Sequence, residues 1–182
     1  EFLQKINGAL DDDGSVDKTY QKLLGTYHDR DAIHILRHEQ NQGLGAALQT
    51  GLDQASGSFV ATIDSDCTYD PAIIPDMLLK MEPDVDILTA SPYAPDGQVM
   101  NVSPFQIFLS QRCSKMYRFI LGSNIHTFTS MFRIYRRSAL EKISFKSTTF
   151  LSMAEIIINA IQLQLNVQEY ATTLSSRQFG DS

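Results

Sequence analysis

Two carboxylates stand one residue apart where an apolar stretch ends. Residues 60–66 read VATIDSD, so Asp64 and Asp66 follow a segment with the composition of a buried strand. Two acids in a partly buried site repel each other, and a divalent cation relieves that repulsion. Mg²⁺ or Mn²⁺ prefers oxygen ligands and completes its shell with substrate phosphates. The pair is therefore a candidate metal site; for a lone Asp-x-Asp, the simpler interpretation is that Asp64 caps a turn and Asp66 is solvated.

Helix and strand patterns alternate around this pair. Helical spacing predicts helices over 19–27, 43–55, 71–81, 105–121 and 151–163. Short apolar runs predict strands over 32–36, 58–63, 85–90, 131–135 and 167–174, and three prolines and a glycine predict a loop over 91–104. Asp70 is the expected N-cap of the third helix, with Pro71 at its first position.

This order of elements predicts an α/β fold with an open, mostly parallel sheet flanked by helices. Ligands bind such sheets outside the carboxyl ends of the strands. Asp64 and Asp66 lie at one of those ends, which is where a substrate would be bound.

Composition excludes several classes of protein. The 182 residues are 43% hydrophobic and 20% charged, which suits a single domain. A net charge of -6 and a pI near 5.1 argue against nucleic-acid binding. No apolar run approaches the roughly 20 residues of a membrane helix. We expect a cytoplasmic protein with Cys67 and Cys113 as reduced thiols.

Several ordered blocks carry a family resemblance. The blocks are DDGSVDKT, NQGLGAAL, DSDCTYDP, ASPY, FRIYRR, FLSMAEI and SSRQFG. In this order they resemble the family-2 glycosyltransferases with a GT-A (Rossmann-like) fold, and within them the dolichol-phosphate mannose synthase branch. The resemblance implies inverting, metal-assisted transfer of a hexose from a nucleotide-sugar of the GDP-mannose or UDP-glucose type. The implied acceptor is a polyprenyl or dolichyl phosphate at the cytoplasmic face of a membrane.

The resemblance assigns residues to the donor side. Asp12 and Asp13 match positions at the nucleobase or ribose, and Asp17 matches a second acidic position. Gly43 and Gly45 lie in a segment near the nucleotide, where backbone N–H groups could face a phosphate. Without the resemblance, the aspartates are a solvated turn and the glycines are a plain helix start.

The resemblance also assigns the metal and the acceptor. Asp64 and Asp66 match the metal-binding motif, with Mg²⁺ or Mn²⁺ bridging the phosphates of the donor. Arg112, Arg133 and Arg177 match positions implicated in binding the acceptor phosphate. Such a phosphate already carries about -1.5 to -2 charge, so it needs cationic residues rather than a general base.

Five further residues keep alternative interpretations. Ser114 lies close to Arg112 in the sequence. Glu155 matches an acidic position and is expected to pair with an arginine, unless it is a simple exposed acid. His126 is a possible catalytic base, although a lone histidine is more often structural. For Arg136 and Arg137 we favour a solvated helix start.

Two departures from the family pattern limit the assignment. No Pro-x-Tyr-Asn-Glu segment precedes Asp12, so we expect the fold to lack the family's first strand and the domain to be truncated at both ends. Pro92 stands where many lipid-phosphate mannosyltransferases carry arginine, which weakens the case for mannose. The alternatives are transfer to a saccharide hydroxyl, or an inactive fragment that binds nucleotide weakly.

Overall fold

The fold is taken from a computed structural model that describes residues 8–27, 29–66 and 68–175. The predictions for Cys67 and Arg177 lie outside these residues. The chain forms two compact units: Glu1–Val60 with Phe145–Ser152, and Ala61–Ser144 with Met153–Ser182.

The first unit contains a parallel pair of strands. Its elements in chain order are β1 (Gly8–Asp12), α1 (Thr19–Tyr27), β2 (Ile33–Arg37) and α2 (Leu44–Gln54). β1 and β2 are parallel and in register from Gly8 opposite Ile33 to Asp12 opposite Arg37. Their carboxyl ends therefore coincide, and α2 packs against β1 with Ala47, Leu48 and Leu52 buried.

The remaining elements follow along the chain. They are β3 (Phe59–Thr62), a single 3₁₀ turn (Pro71–Ile73), α3 (Ile74–Leu79), β4 (Ile87–Ser91), β5 (Gln98–Met100), α4 (Pro104–Leu121), β6 (Arg133–Arg136), α5 (Arg137–Leu140), α6 (Ser152–Gln162), β7 (Val167–Ala171) and β8 (Thr173–Ser175). β3, β6, β4 and β7 form a sheet in that order, in which β4 is antiparallel to β6 and parallel to β7.

The core of the second unit surrounds β4. All five residues of β4 are buried, as a strand covered on both faces should be. Phe132 is fully buried, and the ring of Tyr69 packs edge-on against it with 5.7 Å between centroids.

The predicted helices are confirmed within a few residues, and three details differ. The predicted helix 71–81 begins as a 3₁₀ turn and ends at Leu79; Asp70 is its N-cap as predicted, accepting a hydrogen bond from the Ala72 N–H at 2.8 Å. The predicted loop 91–104 contains β5, and the predicted strand 167–174 is divided into β7 and β8. β5 and β8 pair in parallel, with Gln98 opposite Thr173.

Within the described ranges the strands form three hydrogen-bonded sets rather than one continuous ladder. Strand β1 lies directly before Asp13. The family's first strand, which we expect to be missing, would come before β1 in the chain, so that expectation stays a prediction. None of the helices described is both long and apolar enough to cross a membrane.

Candidate functional site

The acidic pair lies in a loop whose shape is fixed by hydrogen bonds. Asp64 and Asp66 follow β3, and both are partly exposed. One carboxylate oxygen of Asp66, Oδ1, accepts hydrogen bonds from the Thr68 N–H at 3.1 Å and the Thr68 hydroxyl at 2.9 Å. The Thr68 carbonyl accepts from the N–H of Ser175 at the end of β8 at 3.0 Å. The loop therefore orients Asp66 through Thr68 and is tied to a strand.

Tyr69, which was not predicted from the sequence, lies near Asp64. The residue is 6% exposed, and its hydroxyl is hydrogen-bonded to Ser130. Burial raises the pKa of Tyr69 to about 12, and the nearby Tyr93 and Asp64 add to the shift, although the Ser130 hydrogen bond opposes it. Tyr69 is therefore a protonated phenol at neutral pH, close to a predicted metal ligand. The only sequence signal was an aromatic residue inside the DSDCTYDP block.

A second loop begins at the carboxyl end of β4. The hydroxyl of buried Ser91 is 2.6 Å from that of Thr127 and accepts a hydrogen bond from the Ala94 N–H at 3.0 Å. These bonds join the segment after β4 to the segment before β6. The carboxyl end of a strand is where α/β proteins place their ligands.

His126 has a carboxylate partner. Its Nδ1 lies 2.7 Å from Oε2 of Glu169 on β7, and the other Glu169 oxygen accepts from the Thr127 N–H at 2.9 Å. Glu169 is an acid in the second half of the chain that was not predicted as a site residue. A histidine oriented by a carboxylate is an arrangement used for general-base catalysis.

The acidic pair fits a catalytic Mg²⁺ or Mn²⁺ site by its donor chemistry. Mg²⁺ sites typically use one or two carboxylates, several waters and the substrate phosphates instead of a cage made only of protein ligands. Two partly exposed carboxylates on one loop match that pattern. Among the described residues, no group of three or more His, Cys, Asp and Glu could hold a metal on its own.

Arg133 is buried within the protein, which does not support its predicted contact with an acceptor phosphate. Its side chain is fully buried at the start of β6, and Nη2 donates to the carbonyls of Phe128 and Met153, each at 2.8 Å. Nη1 is 3.4 Å from the Tyr135 hydroxyl, and Nε has no hydrogen-bond partner. These contacts favour a structural role, and the phosphate role of Arg133 stays a prediction.

Arg112 lies on the surface. It is exposed on α4, with its guanidinium 4.9 Å from the centre of the Phe108 ring. Ser114, two residues on, is buried on another side of the same helix. Arg112 is thus accessible to an acceptor phosphate, and that role stays a prediction.

The aspartates of the DDDGS block have different partners in the first unit. Asp12 is buried, with Oδ2 3.5 Å from Nε of Arg37 and Oδ1 accepting from the Ser15 N–H. Asp13 Oδ1 accepts from His38 Nδ1 at 2.7 Å and from the Gln42 N–H at 2.8 Å. Both acids lie at the carboxyl end of β1, as the predicted nucleotide role requires, and that role stays a prediction.

The glycine pair begins α2, but its N–H groups have protein partners. Gly43 has φ +95°, and its N–H donates to Asp13 Oδ2 at 2.7 Å. The Gly45 N–H donates to the Thr148 carbonyl at 2.8 Å. A Cβ at Gly43 would collide with the carbonyl oxygen of Thr148, and a Cβ at Gly45 with that of Ser147. The anion at this helix start is therefore the Asp13 carboxylate. The predicted phosphate contact is not supported, and the plain helix start fits better.

Asp17 lies at the start of α1. It is exposed, and its Oδ1 accepts from the Thr19 N–H at 2.8 Å. The hydrogen bonds from Thr19 lower the pKa of the Asp17 carboxyl. This contact closes a local turn just before α1, and a nucleotide role for Asp17 stays a prediction.

An open cavity of about 300 Å³ lies in the first unit beside α2. Gln42, Thr50, Lys146 and Thr148 contribute polar groups to its lining. Ligand pockets usually have volumes of about 300–1,000 Å³, so this one is at the small end of the range.

The remaining predicted residues lie on three elements. Glu155 is partly exposed in the first turn of α6, where the helix dipole favours an acid; its expected pairing with an arginine stays a prediction. Arg136 is the N-cap of α5, as the predicted helix start requires, but its partly exposed side chain also donates to the carbonyls of Val85 and Glu82 at 3.1 and 2.7 Å. These bonds form because the end of β6 lies beside the segment before β4. Arg137 is partly exposed at the first position of α5.

Comparison with known proteins identifies relatives of the chain. The family model for glycosyl transferase family 2 matches residues 6–144. The polyprenol monophosphomannose synthase of Mycolicibacterium smegmatis is 31% identical over 160 residues, which cover 85% of this chain and 60% of the relative. The dodecaprenyl-phosphate galacturonate synthase of Rhizobium johnstonii is 31% identical over 139 residues, or 74% of this chain and 39% of the relative. The chain thus spans about 60% and about 40% of these two relatives.

Solved structures agree on the fold. The glucosyl-3-phosphoglycerate synthase of Mycobacterium tuberculosis, in complex with phosphoglyceric acid, has a TM-score of 0.69 at 17% identity. The match covers 96% of this chain and 61% of that protein. A complex of the same synthase with Mn²⁺, uridine diphosphate and glucosyl-3-phosphoglycerate matches equally well. The fold is the predicted α/β, GT-A type.

The match to the family model covers well over half of the chain, and the ordered sequence blocks, the α/β architecture and the relatives all agree. The chain belongs to glycosyl transferase family 2.

Proposed function

We propose that this chain is the catalytic domain of a metal-assisted, inverting glycosyltransferase that moves a hexose from a nucleotide-sugar to a polyprenyl phosphate. The observation that carries the proposal is the loop after β3, in which Thr68 orients Asp66 and the Tyr69 phenol lies near Asp64. Relatives named for polyprenol-phosphate and dodecaprenyl-phosphate products support the acceptor class.

On the donor side, Asp64 and Asp66 would hold Mg²⁺ or Mn²⁺. When bound, the ion would neutralise charge on the diphosphate leaving group of a GDP-mannose or UDP-glucose type donor. Thr68 keeps the Asp66 carboxylate in one orientation. The protonated Tyr69 hydroxyl contributes a neutral polar group beside Asp64, so it adds no further negative charge to the site.

On the acceptor side, a phosphate oxygen of the lipid attacks the sugar carbon, and the nucleoside diphosphate leaves. The attacking group is already anionic, so the step needs orientation rather than proton removal. Exposed Arg112 and, outside the described residues, Arg177 are the proposed phosphate contacts. Because Arg133 binds carbonyls, we propose that it positions the segment before β6. An acceptor of this kind places the enzyme at the cytoplasmic face of a membrane.

A second candidate is transfer to a saccharide hydroxyl. That reaction needs a base to take the hydroxyl proton. The contact between His126 and Glu169 favours this candidate because it supplies an oriented histidine. The two candidates differ in whether this pair is needed for transfer.

A transfer assay separates the candidates. Nucleoside diphosphate release is measured from UDP-glucose and from GDP-mannose, with Mn²⁺ or with chelator, using either a polyprenyl phosphate or a saccharide as acceptor. The proposal expects metal-dependent release with the polyprenyl phosphate alone. Asp66→Asn should abolish it, and Asp76→Asn, an exposed acid on α3, should not.

Release with only the saccharide would support the second candidate. No release and no nucleotide binding would support the inactive fragment.

A further inference from the structure

The hydroxyl of Thr50, within α2, contacts a histidine from another part of the first unit. Its Oγ1 lies 2.9 Å from Nε2 of His38, which directly follows β2. A threonine inside a helix commonly bonds to a carbonyl of the preceding turn, as Thr26 of α1 does with Lys22 at 2.8 Å. Within the described residues Thr50 has no such bond, so the imidazole is the partner of its hydroxyl.

A carboxylate at the other ring nitrogen orients His38. Oδ1 of Asp13 lies 2.7 Å from Nδ1 of His38, and the N–H groups of Gln42 and Gly43 hold the same carboxylate in place. An ionised carboxylate only accepts hydrogen bonds, so in neutral His38 the proton is on Nδ1 and Nε2 offers its lone pair. The Thr50 hydroxyl therefore donates to Nε2. His38 is a base in contact with the proton of an alcohol.

These three side chains have the geometry that activates a hydroxyl nucleophile. Such a site needs a base within about 2.6–3.2 Å of the hydroxyl and a third group that orients the base. The contacts of His38 with Thr50 and Asp13, at 2.9 and 2.7 Å, meet both conditions. The side chains of His38 and Asp13 are only 13% and 18% exposed, so water competes little for either contact. The first unit therefore contains a nucleophilic cluster that sugar transfer does not use.

Thr50 also lines the open cavity of about 300 Å³ beside α2, so a small molecule can reach this residue. Two other lining groups, the Gln42 carboxamide and the Thr148 hydroxyl, make no hydrogen bond with the described residues and can donate to a ligand. In the same part of the chain the lining contains one basic residue, Lys146, and no acid. Donors and positive charge stabilise the oxyanion that develops when a hydroxyl attacks a carbonyl carbon. The cavity therefore suits a small carbonyl compound rather than a cation.

We propose that Thr50 is the nucleophile of an acyl-transfer site in the first unit, with a small ester or thioester as its substrate. As Thr50 Oγ1 bonds to the carbonyl carbon, its proton passes to His38 Nε2. The adduct then expels the alkoxide or thiolate, which takes that proton, and an acyl ester remains on Thr50. Water hydrolyses this ester with His38 again as the base. The Asp13 carboxylate stabilises the imidazolium that forms in each step.

Acetylation by p-nitrophenyl acetate tests the nucleophile directly. The whole chain is treated with this ester in chelator and without any nucleotide-sugar. Release of p-nitrophenolate is followed by absorbance, and the acetylated residue is located by peptide mass spectrometry. We expect acetyl on Thr50 and none on Thr26, whose hydroxyl donates to a carbonyl. Acetyl groups on lysine side chains or the terminal amine alone would overturn the proposal.

Variants assign the reaction to Thr50 and His38. Thr50→Val and His38→Gln should each lower the rate of release about 100-fold or more, which is a typical contribution of a general base. Thr50→Ser keeps the hydroxyl and should stay within about tenfold of the wild type. His34→Gln removes an exposed histidine of β2 and should leave the rate unchanged, which excludes reaction at surface imidazoles.

Equal rates for Thr50→Val and Thr50→Ser would overturn the proposal, and the contact with His38 would then be structural. Circular dichroism checks the fold of each variant. If Thr50→Val does not fold, the position of the acetyl group in the wild type decides the question.

The test is independent of the proposed function, because the reaction contains neither metal nor nucleotide-sugar. Metal-dependent transfer without acetylation of Thr50 would overturn only this inference. Acetylation of Thr50 without transfer to any acceptor would support this inference and overturn only the proposed function.

Discussion

Asp13→Asn and Asp13→Ala should both loosen the start of α2. The Asp13 carboxylate accepts from the N–H groups of Gln42 and Gly43, at 2.8 and 2.7 Å, and from His38 at 2.7 Å. Its side chain is only 18% exposed, so these bonds are partly protected from water. The carboxylate is therefore both the anchor of the loop before α2 and the anion at its helix start.

The expected loss in the free energy of unfolding follows from the number of hydrogen bonds that each variant removes. A hydrogen bond to a charged group contributes about 1.5–3 kcal/mol, and an anion at a helix start about 0.3–1 kcal/mol. Asparagine keeps one acceptor oxygen, so Asp13→Asn should cost about 2 kcal/mol. Alanine removes all three bonds, and because such losses are not additive, Asp13→Ala should cost about 4 kcal/mol.

The effect should depend on pH. Partial burial alone would raise the pKa of Asp13, but the hydrogen bonds from Gln42, His38 and Gly43 together lower it below the ordinary value of 3.8. A carboxyl with a lowered pKa in the folded state stabilises the protein fully above its unfolded pKa. That contribution is lost as the pH falls below 3.8 through the folded pKa. The difference between wild type and Asp13→Asn should therefore be constant near neutral pH and shrink in this acidic range.

Urea unfolding by circular dichroism gives the stability differences, and amide hydrogen exchange at Gln42 and Gly43 gives the local effect. Asp31→Asn, an exposed acid of the same unit, is the control and should change stability by less than about 0.5 kcal/mol. If Asp13→Ala behaved like this control, or if exchange at the two amides did not accelerate, the anchoring role of Asp13 would be refuted.

Three further predictions concern the second unit. Thr68→Val removes the hydrogen bond from the Thr68 hydroxyl to Asp66 and keeps the backbone bond. The metal-dependent affinity for nucleotide, measured by calorimetry, should therefore fall about 10-fold without loss of the fold. An unchanged affinity would contradict the orienting role of Thr68. Glu169→Gln should lower the rate of transfer to a polyprenyl phosphate by less than about threefold. A loss of about 100-fold or more in the transfer assay would indicate that His126, oriented by Glu169, acts as a general base. Arg133→Met leaves two carbonyls without a donor, so it should lower the free energy of unfolding in urea by about 2 kcal/mol. Arg112→Met should leave that free energy almost unchanged. Equal stability of both variants would exclude the structural role of Arg133.

The local patterns of the sequence were enough to predict most elements. Apolar spacing located α1, α2, α4 and α6 within one or two residues, because amphipathic helices carry their own periodicity. The Asp70 cap followed from the residue type ahead of Pro71. The position of Asp64 and Asp66 after β3 followed from the end of an apolar run.

Contacts between distant residues could not be predicted in this way. β5 lies in a segment rich in proline and glycine and pairs with β8 more than seventy residues later, so no local pattern indicates it. Likewise, nothing near Arg133 shows that its partners are the carbonyls of Phe128 and Met153. The neighbours of Tyr69 also come from separate loops. A role that depends on such contacts needs the fold before it can be assigned.

The most direct test is calorimetric titration of UDP-glucose and of GDP-mannose into the wild type and Asp66→Asn, each with Mn²⁺ and with chelator. Asparagine keeps an oxygen for the Thr68 bonds and removes only the charge, so the loop should persist. We predict that the wild type binds one donor only with Mn²⁺, and that Asp66→Asn loses this binding while Asp76→Asn retains it. Equal donor binding in chelator, or undiminished Mn²⁺-dependent binding by Asp66→Asn, would contradict a metal site at this loop.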